Sequence, residues 1–160
     1  MAVSFVAPRQ DITFATAESS LLLTYGIETI NWRDKRSGTF QKNLTNRRGD
    51  LLLESVTLHR RFPYAVLNGF FILDAEAEHD GSDRRESTFA NAHQRLQLFT
   101  GRDDPGGRDE QYERLYVGLV DAIPEGSTLR LFEAGKGEVE VSLEEVIQDG
   151  VELVREQDVR

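Results

Sequence analysis

The sequence predicts a mixed α/β domain: a central mixed sheet flanked by helices. Three observations lead there. The chain has 160 residues, the size of one ordinary domain and enough to bury roughly 70% of its unfolded surface. Its hydrophobic pattern changes period, from alternation near the start to three- and four-residue steps after Thr39. The resulting order, β(β)β–α–β–α–β–β–α, places hairpin strands before a βαβαβ run, so one sheet must hold antiparallel and parallel pairs. No repeat, low-complexity tract or long linker divides the chain, and one domain over 1–160 is the reading.

The elements follow in order. Val3–Val6 reads as a short strand, Pro8-Arg9-Gln10 as a turn and Ile12–Thr16 as an alternating strand. Leu21–Arg33, rich in Leu, Thr, Tyr and Ile, reads as a longer strand broken by Arg36-Ser37-Gly38. Phe40, Leu44, Leu51, Leu52, Ser55, Val56 and His59 then recur at helical spacing. This helix starts near Thr39 or near Asn46 and ends before Pro63, with Arg60 and Arg61 complementing its dipole. Tyr64–Leu73 is a continuous apolar run that suits a strand buried on both faces. Ala75–Arg85 reads as an acidic surface loop. Ser87–Phe99 is a second helix, capped by Ser87 or Thr88 and closed by Gly101. Arg102–Arg108 is a turn around Pro105-Gly106-Gly107, and a helical lead-in at Asp109–Arg114 precedes a strand at Leu115–Ile123. Thr128–Glu133 is the next strand. Ser142-Leu143-Glu144-Glu145 is a capping box that opens a short helix to Gln148. Val151–Arg160 reads as a strand or frayed tail.

Composition narrows the functional classes. No cysteine is present, which removes disulfides, thiol chemistry and thiolate metal sites. The longest apolar runs fall far short of the ~20 residues of a membrane-spanning helix, and Met1-Ala2-Val3-Ser4 lacks the basic, then apolar, pattern of a signal peptide. A cytoplasmic protein without a membrane partner is the expectation. The net charge is −9, and sixteen of the nineteen bases are Arg. Such an acid excess suits a salt-adapted, halophile-like or high-GC host, where net charge says little about partners.

The distribution of charge says more. Between Arg33 and Arg61 lie eight bases (Arg33, Lys35, Arg36, Lys42, Arg47, Arg48, Arg60, Arg61) against three acids, a local balance of +5 that leaves −14 for the other residues. A basic stretch in an acidic body points to a local anionic partner. It suits equally a solvated helix face that pairs with acids elsewhere.

The basic stretch also carries a family likeness. A strand end at Ile30-Asn31-Trp32-Arg33 leads to Ser37-Gly38-Thr39, then Gln41-Lys42-Asn43 with Asn46 and Arg47. A helix with Glu54 and Leu58-His59 follows, then Arg61-Phe62-Pro63-Tyr64 leading into a buried strand. This run, roughly residues 20 to 123, resembles the restriction-endonuclease-like nucleases of the PD-(D/E)XK superfamily. The resemblance implies a metal-dependent DNA endonuclease of restriction or defence type. A magnesium ion would orient water and offset charge on phosphorus, held by one or two carboxylates. The superfamily places an Asp on one hairpin strand and Glu-x-Lys on the next. Here Asp11 takes the first place, and Asn31-Trp32-Arg33 aligns with the second.

Asn31 is a neutral, weaker ligand than Glu, and Arg33 keeps its charge for phosphate. Asn31, Arg33 and Lys35 share a face if the strand persists, whereas Glu28 faces the other way. Some relatives move the second carboxylate onto the following helix, where Glu54 stands. The resemblance thus implies Asp11, Asn31, Arg33 and Glu54 as catalytic residues, with Asp11 and Glu54 as metal ligands. Glu54 has a plainer role available, pairing with a neighbouring Arg.

Lys35, Arg36, Lys42, Asn43, Asn46, Arg47 and Arg48 are the candidate DNA contacts, the later ones where a helix start can meet phosphate. An alternative reading keeps the fold and drops catalysis: an inactive relative that binds DNA or a protein partner. A homodimer would double the basic patch. His59 reads as packed or capping. No two of His59, His79 and His93 stand at metal spacing. Trp32 is expected in the core. Gly106-Gly107 is a turn and not a phosphate loop.

Overall fold

A computed structural model describes residues 12–103 and 106–158, with the side chain of Asp158 left aside. The expected strand at Val3–Val6, the Pro8-Arg9-Gln10 turn and Asp11 lie outside the described residues.

The mixed α/β expectation holds. Strands β1 (Ile12–Thr16), β2 (Ser20–Ile30), β3 (Val66–Asp74), β4 (Arg114–Ile123), β5 (Gly126–Glu133) and β6 (Glu140–Val141) form one six-stranded sheet in sequence order. β1 and β2 form an antiparallel hairpin, β2–β3 and β3–β4 pair in parallel, and β5 and β6 return antiparallel. Helices α1 (Leu44–Arg61) and α2 (Thr88–Leu96) make the two parallel crossovers, and α3 (Leu143–Asp158) closes the described chain. Right-handed crossovers between strands added in one direction put α1 and α2 on one face of the sheet.

The core divides accordingly. Beneath α1 and α2, Leu67, Phe71 and Leu73 of β3 and Leu115, Val117 and Leu119 of β4 pack against Leu44, Leu51, Leu58, Phe89, Ala92 and Leu96. On the other face Tyr25, Phe70 and Tyr116 stack across three strands at 5.6 Å between successive rings and pack with Leu131 and Val146 of α3. β3 is therefore buried on both faces, as its unbroken apolar run predicts.

Several boundaries differ from expectation. β2 stops at Ile30, its last residue paired with β3, so it does not reach Arg33. A short 3-10 turn at Gln41–Asn43 precedes α1, which settles the helix start between the two expected positions. The lead-in before β4 is a turn, without a helix. The acidic loop contains a 3-10 turn at Ala75–Glu78 and a buried Asp80. α3 runs on through the segment read as a strand or tail: Gly150 and Leu153 lie buried, and that tertiary packing overrides the strand preference of valine. Among the described residues no helix is long and apolar enough to cross a membrane.

Candidate nucleic-acid interface

The parallel strands point their carboxyl ends at the loop after β2, the acidic loop after β3 and the start of α1. Ligands of open α/β sheets commonly bind at this edge. The loop after β2 is tied down by Asp34. Its backbone N–H donates to the Thr39 carbonyl and its carbonyl accepts from Gly38, both at 2.8 Å. Its carboxylate accepts from the Ser37 N–H at 3.0 Å and from Lys42 Nζ at 3.1 Å. The hydrogen bonds from Ser37, followed by Lys42, hold the Asp34 pKa down at about 2. Gly38 turns the chain with a φ of 67°, a backbone region that glycine adopts without steric cost. The Phe40 N–H then donates to buried Asp80 at 3.0 Å, whose carboxylate also takes the Thr88 N–H at 2.7 Å and hydroxyl at 2.6 Å. The turn is thereby docked on the start of α2.

The candidate DNA contacts decorate this frame. Lys35 and Arg36 are exposed on the turn and make no ion pair among the described residues. Lys42, 70% exposed at its side chain, pairs with Asp34. Arg47, 47% exposed, reaches Glu28 at 3.4 Å and Asp50 at 3.5 Å. Arg48 is half-buried, its guanidinium over the Phe99 ring at 6.0 Å. Asn43, the residue before α1, gives it no side-chain cap, Asn46 is exposed, and no acid stands in the first helical turn. Lys42 and Arg47 are themselves solvent-facing while Asp34 and Glu28 are half-buried, so a phosphate would compete with these carboxylates for the two cations.

Among the described residues, the expected catalytic residues Asn31, Arg33 and Glu54 do not gather. Asn31 and Arg33 lie beyond the end of β2, so the strand alternation that would place them on one face is absent. Arg33 lies over the Phe40 ring at 5.4 Å and pairs with Glu76 at 3.2 Å. Glu54 sits elsewhere, wedged between α1 and β2. A Cβ added at Gly26 would come within 2.6 Å of its Oε2, and the Tyr112 hydroxyl donates to that oxygen at 2.9 Å. Burial first, and then the charges of Glu54 and Glu28, push the Tyr112 hydroxyl well above its ordinary pKa.

The carboxylate that shares this seam with Glu54 is Glu28, two residues along β2 from Gly26 and on the same face. Its alternation with Gly26 is visible in the sequence. Both carboxylates are engaged, Glu54 by Tyr112 and Glu28 by Arg47. Among the described residues no group of three or more His, Asp or Glu side chains converges to hold a metal ion. Asp11, the other expected ligand, lies outside the described residues.

Two other polar centres have structural roles. Arg102 and Glu113, both with fully buried side chains, pair at 3.0 Å. The other Glu113 oxygen accepts from the Leu67 N–H at 2.8 Å and lies 3.4 Å from His59 Nε2. This cluster joins the end of α1 to the starts of β3 and β4. It bears out the packed reading of His59. His93 packs edge-on to Phe89 and Phe132, and its Nδ1 accepts from the Gly135 N–H at 3.1 Å.

Trp32 overturns its expectation: it is 66% exposed on the loop after β2. The signal available in the sequence was its neighbourhood, since Asn31, Arg33, Asp34, Lys35 and Arg36 offer no apolar partner. Comparison with family models, with curated proteins and with solved structures finds no match for this chain.

Proposed function

We propose that this chain is a DNA-binding protein of the cytoplasm, a relative of the PD-(D/E)XK nucleases that engages the phosphate backbone without cutting it. The observation that carries this reading is the anchored turn presenting Lys35 and Arg36, exposed and without ion pairs among the described residues, beside Lys42 and Arg47. Phosphate contacts of this kind position a protein on nucleic acid and are independent of sequence. The acidic remainder of the molecule confines contact to this one edge.

A double charge reversal, Lys35→Glu with Arg36→Glu, tests the reading by fluorescence anisotropy on a labelled duplex. Both side chains are exposed, so the fold is unaffected and affinity falls at least about tenfold at low salt. Unchanged affinity contradicts the proposal. Supercoiled plasmid with magnesium or manganese should stay intact. Nicking that disappears in Glu54→Gln would restore the endonuclease reading instead.

A further inference from the structure

The exposed Trp32 has no place in a binding mode made only of phosphate contacts. We propose that it is a stacking platform for an unpaired base, so that the preferred ligand of this edge is single-stranded nucleic acid or a strand with splayed bases. This rests on the reading of the turn as a phosphate-binding surface and deepens it.

Three observations support the assignment. First, the ring is in solvent while its backbone is fixed on both sides. Ile30, two residues before, is buried in the sheet, and Asp34, two residues after, is held by the Ser37, Thr39, Gly38 and Lys42 contacts. Arg33, immediately after, is clamped between Phe40 and Glu76. With the backbone anchored on both sides, the loop gives up little freedom when a base stacks on the ring. Second, Trp32 lies within four residues of Lys35 and Arg36, so a base on the ring leaves its phosphates beside exposed cations. An aromatic face within a basic strip is how single strands are held without sequence preference. Third, Trp32 pairs in no strand among the described residues and, at 66% exposed, offers most of its surface on the same loop as the two cations.

Trp32 is the only tryptophan in the chain, so its intrinsic fluorescence reports on this site alone. The probes are a short oligo(dT), a mixed-sequence duplex of equal length and inorganic polyphosphate as a charge-only control. Oligo(dT) quenches the emission and polyphosphate does not. Trp32→Ala weakens oligo(dT) binding, followed by anisotropy, by about five- to a hundredfold, while duplex binding changes less than about twofold. Trp32→Phe recovers part of the loss.

Equal quenching by polyphosphate, or unchanged oligo(dT) affinity in Trp32→Ala, overturns the stacking assignment. Lys35→Glu/Arg36→Glu separates the two levels. If that variant loses binding and Trp32→Ala does not, the phosphate surface stands and the platform fails. If neither loses binding, both readings fail.

Discussion

The side chains that decide this molecule differ in how far along the chain their partners lie. Ser87 caps α2 through the Ala90 N–H, and Ser142 and Glu145 exchange hydrogen bonds at the start of α3. These contacts span three residues, and the sequence shows them directly. Glu113 accepts from Leu67, 46 residues away, and no local pattern announces it. Trp32 is the reverse case: the polar residues on either side of it, Asn31, Arg33, Asp34, Lys35 and Arg36, are a local signal of its exposure.

Three predictions belong to this scale. Glu113→Ala removes the carboxylate from the buried Arg102 guanidinium and from the Leu67 N–H and should cost about 3–5 kcal/mol, read by urea unfolding. Arg60→Ala, which breaks only an exposed pair with Asp109, should cost less than about 1 kcal/mol. His93 should make stability depend on pH. Burial lowers its folded pKa from 6.5 to about 4, so the unfolded chain takes the proton first. Its contribution is complete above the unfolded pKa and declines as pH falls from about 6.5 towards 4, by up to about 3 kcal/mol. His93→Leu should flatten that part of the profile, and a wild-type profile without the decline would refute the assignment.

Elements were legible where a pattern repeated and illegible where a neighbour decided. β1, β3, β5 and α2 fall within a residue or three of their expected places, because alternation and capping carry the signal. β2 ends early because the Asp34 turn takes over from the ladder, and α3 runs long because it packs on β2 and β3. At this scale the seam between α1 and β2 depends on close approach. Gly26 gives Glu54 room over β2, so Gly26→Ala should displace the carboxylate from Tyr112 and cost about 1–3 kcal/mol. Ser142→Ala should cost about 1 kcal/mol by removing the α3 cap, with the loss read in thermal unfolding by far-UV circular dichroism. Of the candidate site, the basic turn was legible as composition. The catalytic constellation was not, since it required Asn31 and Arg33 to stay on a strand that ends before them.

For the whole molecule, the net charge of −9 and the basic turn pull in opposite directions. An acidic body repels nucleic acid at long range, but screening shortens that reach to about 8 Å at physiological salt, so the local cations govern contact. The turn, the carboxyl ends of the parallel strands and the start of α1 lie at one edge of the sheet, the edge proposed to meet phosphate. The salt dependence of binding tests this most directly. Duplex DNA titrated against the protein at several salt concentrations should give a log–log slope of roughly −3, for three to four phosphates engaged. Lys35→Glu/Arg36→Glu should make that slope shallower by about 2. A flat response, or a slope that the substitution leaves unchanged, would contradict the assignment of this edge as the nucleic-acid interface.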